Sequence, residues 1–164
     1  MRGEPRSGCP INMAVEALGD PWSLIVLRDM MFGDRRYFRE LLAGSDEGIA
    51  SNVLSSRLKS LVAAGLLVRD DATRGQRARY SLTEAGIQTL PVLVALGTWG
   101  RAHRVTTAQM TIRQQLMEEG GPSMVAELMD ELRAHHVGTE LAPSAGPRAS
   151  ARLRAAYDEA LSGT

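Results

Sequence analysis

The chain has 164 residues, of which 44% are hydrophobic and 23% are charged, a composition typical of one globular domain or of one domain with an extension. It contains no apolar run of about 18 residues and no secretory pattern at its N-terminus, and its single cysteine excludes an intrachain disulfide framework. We therefore expect a cytoplasmic protein without a membrane partner.

The charge is unevenly distributed although it sums to zero. Residues 1–105 carry a net charge of +3, residues 106–164 carry −3, and arginines are concentrated at residues 35–39 and 74–79. A basic first part is typical of a nucleic-acid-binding domain. A solvated surface of mixed charge has the same composition, so charge alone leaves both interpretations open.

The first predicted elements are two helices. One lies near residues 11–18. The second begins at Asp20 and Pro21, because an Asp side chain accepts free amide hydrogens and Pro fits a first helical turn. Apolar residues then recur at near-helical spacing until Gly33, where we expect the helix to end.

The next two helices are separated by a turn. A short helix is predicted near residues 38–42, and the polar, glycine-containing stretch at residues 44–48 indicates the turn. Residues 51–64 form the clearest amphipathic helix. Its apolar stripe consists of Leu54, Leu58, Leu61 and Val62.

A β-hairpin is predicted directly after this helix. Gly65 should stop the helix, and two short strands should enclose a polar loop at residues 72–76. The order of short helix, turn, amphipathic helix and hairpin is that of a winged helix-turn-helix. Residues 51–64 would be its recognition helix and residues 68–82 its wing.

The remaining chain predicts a helical extension. Thr83 should cap a helix that runs toward Arg104 with a kink at Pro91. We expect residues 9–104 to form the winged domain and residues 105–164 to form the extension. The fold class is then mostly α with a small β-hairpin wing.

Within the extension, helices are predicted near residues 111–118 and 123–136. Residues 139–149 are rich in Pro, Ala, Ser and Gly, which is typical of a flexible linker. Ser150 should cap a last helix.

The side of the predicted recognition helix opposite its leucines is polar. Asn can pair with adenine through two hydrogen bonds, Ser can meet several bases, and Lys can meet guanine or phosphate. An ordinary solvated face is the alternative. Arg57, on the flank, either contacts phosphate or pairs with a carboxylate inside the domain, and the arginines of the wing suit phosphates or a minor groove. The DNA-binding candidates are Ser51, Asn52, Ser55, Ser56, Arg57, Lys59, Arg36, Arg74, Arg77 and Arg79.

Short ordered motifs run through the first two thirds of the chain. The longest are Ala-Leu-Gly-Asp-Pro-Trp at residues 17–22, Arg-Tyr-Phe-Arg-Glu-Leu at 36–41 and Tyr-Ser-Leu-Thr-Glu-Ala-Gly at 80–86. In this order they resemble the HxlR family of bacterial regulators, which is related to the MarR type. The resemblance implies a winged-helix fold, a homodimer built through terminal helices, and regulation of nearby genes, with repression as the default.

The chain also departs from that family. Residues 72–77 lack the proline that many members carry in the wing, and the chain continues well past residues 99–100, where many members nearly end. The resemblance therefore implies little about residues 106–164.

Cys9 is followed by proline, and the resemblance implies that some members sense oxidants through a cysteine in this context. A sensor thiol needs thiolate character and access, and Arg2 and Arg6 could lower its pKa. Alternatively, Cys9 packs as a small apolar residue against a partner subunit. The effector, whether a small molecule or an oxidant, stays open.

The sequence also predicts a homodimer. Residues 11–18 and 90–104 carry more apolar side chains than one small domain needs, so a two-fold dimer should bind an inverted repeat in double-stranded DNA. Val125, Leu128 and Leu132 either join this interface or fold back on their own domain.

No motif indicates catalysis, a metal or a cofactor. His135 and His136 are adjacent and point in different directions, and no Gly-rich phosphate loop or GxSxG motif is present. We therefore expect a protein that is not an enzyme. The alternative to DNA binding is a winged-helix module that binds another protein, although such a module would more often expose apolar groups where this helix has Asn52, Ser56 and Lys59.

Overall fold

The computed structural model describes residues 7–70 and 77–162, and this part of the chain is mostly helical with a small antiparallel hairpin, as predicted. It divides into two compact units, one ending at Gly86 and the other beginning at Ile87. The elements up to this division are α1 (Pro10–Leu18), α2 (Pro21–Gly33), α3 (Phe38–Ala43), α4 (Ser51–Ala63), β1 (Leu67–Arg69) and β2 (Tyr80–Leu82). The short α5 (Glu84–Ile87) spans it, and α6 (Leu90–His103), α7 (Ala108–His136) and α8 (Ala149–Ser162) follow.

Helix α2 begins and ends where the sequence predicts. Oδ1 of Asp20 accepts a hydrogen bond from the amide of Ser23 at 3.0 Å, and Pro21 lies in the first turn. The helix ends at Gly33, after which Asp34 adopts a left-handed φ of 50°. Local chemistry fixes both ends, which is why the sequence alone locates them.

Helix α4 packs its leucine stripe against α2 and α3. Leu54, Leu58 and Leu61 are at most 1% exposed, whereas Val62, which we had placed in the same stripe, is exposed. The helix ends at Ala63, and Gly65 follows with a φ of 73°, a conformation that favours glycine. The other sides of α4 are left for solvent or a ligand.

The hairpin follows as predicted, with one addition. Leu67 lies opposite Leu82, and the pairing extends because the amide of Asp70 donates to the carbonyl of Arg79 at 2.9 Å. An antiparallel bridge between Tyr37 and Arg79 attaches the segment before α3 to the hairpin. A single bridge leaves no periodic signal in the sequence, so the sequence analysis missed it.

The turn after the hairpin is a capped helix start. Oγ1 of Thr83 accepts from the amide of Gly86 at 3.0 Å and donates to the carbonyl of Gly65 at 2.7 Å. A β carbon on Gly86 would lie 2.2 Å from the carbonyl oxygen of Leu66. Only glycine therefore fits where α5 meets the start of the hairpin.

The prediction of one kinked helix from Thr83 to Arg104 is wrong. Helix α5 stops at Ile87, and α6 starts at Leu90 with Pro91 in its first turn. An amide in that turn has no partner within the helix, so proline begins a helix there at no cost in hydrogen bonds.

Helices α6 and α7 approach closely at Gly97. A β carbon on Gly97 would lie 2.1 Å from Oε1 of Gln114, whose amide group donates to the carbonyl of Val94 at 3.1 Å. Beside this contact, the guanidinium of Arg101 pairs with the carboxylate of Glu118. The absence of a side chain at Gly97 and the polar contacts beside it thus fix where the two helices cross.

Helix α7 is interrupted at Gly121, which has φ 57° and ψ −153° and is followed by Pro122. The interruption separates the two helices predicted near residues 111–118 and 123–136. Beyond it, Leu128 and Leu132 are buried in the same unit, so they fold back on their own chain. They do not offer a surface to a second copy.

Helix α8 begins at Ala149, so Ser150 is not its cap. The amide of Ala149 donates to Oε1 of Glu127 at 2.9 Å, and the amide of Ser150 donates to Oε1 of Glu131 at 3.2 Å. Two carboxylates of α7 therefore cap α8, a contact between distant residues that local spacing cannot predict. Residues 137–148, which connect α7 to α8, contain no helix or strand, in agreement with the position of the predicted linker.

Candidate nucleic-acid interface

The exposed face of α4 carries the polar residues that the sequence analysis selected. Ser51, Asn52, Ser56 and Lys59 are exposed, and Ser55 is half-buried. Because the leucine stripe holds the opposite side of the helix in the core, these short polar side chains point away from the domain. This surface can offer an amide, hydroxyls and an ammonium group to the edge of a base or to a phosphate.

Arg57 is held by a carboxylate of its own domain, which is one of the two alternatives for this residue. Its Nη1 lies 2.6 Å from Oδ2 of Asp20, and its Nη2 donates to Oγ of Ser56 at 3.1 Å. Asp20 also caps α2, so the pair ties α4 to the start of that helix. Arg57 therefore connects α4 to the start of α2, and any contact that it makes with DNA stays a prediction.

A second set of ion pairs ties down the turn before α4. Nη1 of Arg28 lies 2.5 Å from Oε1 of Glu47, and its Nη2 lies 2.7 Å from Oδ1 of the buried Asp29. Arg35 pairs with the other oxygen of Asp29 at 3.0 Å. The hydrogen bond from Arg28 holds the pKa of Glu47 below its usual range. Sequence analysis read Glu47 only as part of a turn, because its partner lies far away in the chain.

Arg36, one of the predicted DNA-binding residues, is bonded to the hairpin. The residue is 8% exposed, its Nε donates to the carbonyl of Tyr80 at 3.3 Å, and its Nη2 donates to the hydroxyl of Ser81. Burial, followed by the charge of Arg79, lowers the pKa of Arg36. A guanidinium in this position exposes little of its surface to a phosphate, and its contacts attach the hairpin to the segment before α3.

The wing offers fewer described candidates than expected. Arg77 is exposed, and Nε of Arg79 lies 3.0 Å from Oδ2 of Asp70 with both side chains about half exposed. Arg74 lies outside the described residues. Arg69, which the sequence analysis did not select, is exposed on β1, and its place in a predicted strand beside a basic loop could have signalled it.

Comparison with known proteins identifies the family. The model of the HxlR-like helix-turn-helix family matches residues 17–108, more than half of the chain. The chain belongs to the HxlR family. The match runs from the end of α1 to the first residue of α7, so nearly all of α7 and all of α8 lie beyond it.

Related sequences are named as HTH-type transcriptional regulators. The uncharacterised regulator Rv3095 of Mycobacterium tuberculosis is 37% identical over 94 residues, which are 57% of this chain and 58% of that protein. The regulator sll1512 of Synechocystis is 36% identical over 93 residues, 56% of this chain and 67% of that protein. The chain therefore matches less than two thirds of the length of its mycobacterial relative.

Solved structures resemble the same part of the chain. The crystal structure of PA1607, described as a candidate transcription factor, has a TM-score of 0.56 and 32% identity, covering 63% of this chain and 70% of that one. The redox regulator HypR in its oxidised form has a TM-score of 0.52 and 26% identity, covering 60% of this chain and all of that one. Both support the winged helix-turn-helix fold.

In this HxlR-family chain, Cys9 is exposed at the N-terminus of α1. The backbone amide of Asn12, followed by that of Ile11, lowers the pKa of its thiol. Arg2 and Arg6, which could also lower this pKa, lie outside the described residues. The start of the helix thus lowers the pKa of the thiol in the direction that favours the thiolate.

Two helices of the chain also expose rows of apolar side chains. On α1, Ile11 and Val15 lie one turn apart, and both are more than half exposed. On α6, Val92, Leu96 and Trp99 are about half exposed and share one face by their i, i+4, i+7 spacing. Contiguous exposed apolar side chains more often mark contact surfaces than scattered ones do.

A metal cluster and a membrane span have no counterpart in residues 7–70 and 77–162. Over those ranges, no three His, Cys, Asp or Glu side chains come together as metal ligands. None of the helices found there is both long and apolar enough to cross a membrane.

Proposed function

We propose that the chain is a transcription regulator that binds operator DNA as a homodimer through α4 and the wing. The observation that carries this proposal is the exposed polar face of α4, backed by buried leucines and held by ion pairs at both its flank and its preceding turn. Membership of a helix-turn-helix family and relatives named as regulators support it. Such a protein works on chromosomal DNA in the cytoplasm.

The side chains of α4 would divide the work of recognition. Asn52 suits a bidentate contact with adenine, Lys59 suits guanine or phosphate, and the small Ser51 and Ser55 let the start of the helix approach the bases. Arg77 and Arg79, with Arg74 in the loop between the strands, would contact phosphates beside the recognition helix.

The exposed apolar rows on α1 and α6 support a dimer. Burying such rows against the same rows of a second copy removes apolar surface from water, and a two-fold arrangement presents two identical reading faces. The operator would then be an inverted repeat with half-site centres about 10 bp apart or a multiple of the helical turn. We propose repression as the default outcome of such binding.

A gel shift with the DNA that flanks the gene encoding this chain tests the proposal. With roughly six phosphates contacted per dimer, the logarithm of the affinity should fall with the logarithm of salt concentration with a slope of about −5. Sedimentation should show a dimer at micromolar concentration, and footprinting should show symmetric protection. Failure to bind any duplex would contradict DNA binding and favour the alternative of a protein-binding module. A stable monomer would contradict the dimer and the inverted-repeat operator.

We also propose that Cys9 is the site at which an oxidant acts on this regulator. Its exposed thiol with a lowered pKa supports this, and a structural neighbour is a redox regulator in its oxidised form. Diamide should release the protein from DNA, and Cys9→Ser should bind DNA but ignore diamide. An unchanged response in Cys9→Ser would place the sensing elsewhere, or leave a small molecule as the effector.

The division into a DNA-binding and dimerisation part at residues 9–104 and an extension at residues 105–164 is likewise a proposal. A chain truncated after Arg104 tests it. An intact DNA-binding dimer would support the division, whereas loss of the dimer would assign the extension to the interface.

A further inference from the structure

One serine of α4 is held by a neighbouring guanidinium. Nη2 of Arg57 donates to Oγ of Ser56 at 3.1 Å, while Nη1 of Arg57 contacts Oδ2 of Asp20 at 2.6 Å. The other carboxylate oxygen, Oδ1, accepts from the amide of Ser23 at 3.0 Å. Each contact uses a different atom, so Arg57 is anchored on the cap of α2 while it reaches Ser56.

The direction of this hydrogen bond decides what Ser56 offers to a ligand. A guanidinium has donors and no acceptor, so the serine oxygen must accept in this contact. The hydroxyl hydrogen then points elsewhere, and Ser56 is exposed on the polar face of α4. An oxygen that accepts from a charged donor also becomes a stronger donor itself, because linked hydrogen bonds polarise one another.

We propose that Ser56 is a specificity-determining residue that donates its hydroxyl hydrogen to an acceptor atom on a base edge, and that Arg57 is the positioning residue that imposes this direction. The proposal rests on the proposed binding of DNA through α4. Acceptors in the major groove are N7 of purines, O6 of guanine and O4 of thymine, whereas the amino groups of adenine and cytosine are donors. An unconstrained serine can bind either kind. Because Arg57 occupies one of the two lone pairs of Oγ, Ser56 has less capacity left to accept and favours acceptor atoms on the base edge.

The test begins with selection of an operator from a random duplex library. A chain that enriches no duplex overturns the proposed function, and this inference with it. With an operator in hand, single modified bases are placed at each position of a half-site. One set weakens acceptors (7-deazapurines, 6-thioguanine, 4-thiothymine), and the other blocks donors (N6-methyladenine, N4-methylcytosine).

The affinity for every modified duplex is measured for the unmodified protein and for Ser56→Ala. The coupling between Ser56 and a base is the difference between the two proteins in the affinity lost when that base is modified. One acceptor-weakened base should cost the unmodified protein about tenfold in affinity and should cost Ser56→Ala almost nothing. Donor-blocked bases should show weaker coupling to Ser56 than the acceptor-weakened base does. Stronger coupling to a donor-blocked base, or coupling to no base while DNA binding persists, overturns this inference and leaves the proposed function intact.

Arg57→Lys tests the positioning role. It keeps the charge, but a single nitrogen cannot hold Asp20 and Ser56 in the same planar fork. The tenfold effect of the acceptor-weakened base should fall to about threefold, because the hydroxyl is no longer held in one direction. Full retention of the tenfold effect in Arg57→Lys would overturn the role of Arg57.

Ser60→Ala, another serine-to-alanine change on α4, is the matched control. It should show no coupling to any modified base. If it matched Ser56→Ala, the coupling would report a general change in the helix and the inference would fail. Circular dichroism melts of all three variants establish that each is folded.

Discussion

The two units of the molecule use polar side chains differently. In the first, charged groups are buried, as Arg36 is against the hairpin and Asp29 is beside Arg28 and Arg35. In the second, carboxylates such as Glu118 and Glu127 lie at the edges of helix contacts, and methionine and leucine side chains form the interior. In the proposed function, the first unit carries a reading face that must be held within a fraction of an ångström, whereas the interior of the second unit only has to pack. The first unit should therefore be the more sensitive to polar substitutions.

The largest expected effects come from truncating a leucine in each interior. Leu58→Ala and Leu128→Ala should each lower the free energy of unfolding by about 2–5 kcal/mol, because both side chains are fully buried. Urea denaturation measures the loss, and the exposed Val62→Ala serves as control with a change of about 0.5 kcal/mol or less. Hydrogen exchange should rise in α4 for the first variant and in α7 and α8 for the second. Identical exchange patterns would contradict the description of two separate interiors.

The next largest effect is expected from removing the buried charge of Arg36 in the first unit. Arg36→Gln should cost about 1.5–3 kcal/mol in the free energy of unfolding, because the carbonyl of Tyr80 and the hydroxyl of Ser81 lose a charged donor. Arg39→Gln, an exposed arginine three residues away, should change it by about 0.5 kcal/mol or less. Equal costs in thermal melts would mean that the burial of Arg36 contributes nothing.

A third prediction separates base reading from phosphate anchoring within the first unit. Asn52→Ala should weaken binding to the operator by about 1–3 kcal/mol and hardly affect random DNA. Arg77→Ala should weaken both about equally, since a phosphate contact carries no sequence information. Fluorescence anisotropy with both duplexes measures the difference. Unchanged binding of random DNA by Arg77→Ala would show that the wing assignment is wrong.

The smallest effect concerns an edge contact of the second unit. The hydrogen bond from Arg101, followed by that from Gln114, lowers the pKa of Glu118 from 4.5 to about 2. Because the folded-state pKa is the lower one, ionised Glu118 stabilises the fold above about pH 4.5, and this contribution is lost as the pH falls toward 2. Melting temperatures of Glu118→Gln should decline less steeply across this range than those of the exposed control Glu119→Gln. Parallel declines would show that the contact is screened by solvent.

The parts of the fold that could be predicted from the sequence depend on near neighbours. Asp20 caps a helix that starts one residue later, and Gly65 stops a helix whose last residue is two positions before it. Leucine spacing placed α4 because its period is that of the helix itself. These signals need no knowledge of the distant chain.

The parts that the sequence could not predict depend on partners far along the chain. Arg36 and Arg57 have the positive charge that is typical of DNA-contacting residues. Their partners, Tyr80 and Asp20, are distant in the sequence and become adjacent only in the folded chain. The same holds for α8, whose N-terminus is capped by Glu127 rather than by the nearby Ser150. A basic residue in a sequence records a charge, and the fold decides whether that charge faces solvent.

Helix α6 has two different sides, and this has a consequence for how the family can diversify. Gly97 faces Gln114 of α7, while Val92, Leu96 and Trp99 project from the other side of the helix. In the proposed dimer, the first side carries the appendage and the second meets the other copy. Selection could then lengthen, shorten or replace the chain beyond α6 without redesigning how two subunits pair, so relatives of unequal length could share one dimer geometry. Gly97→Ala would make the two sides of α6 interdependent. The added methyl group would displace α7, and α6 would tilt with the apolar row that meets the partner.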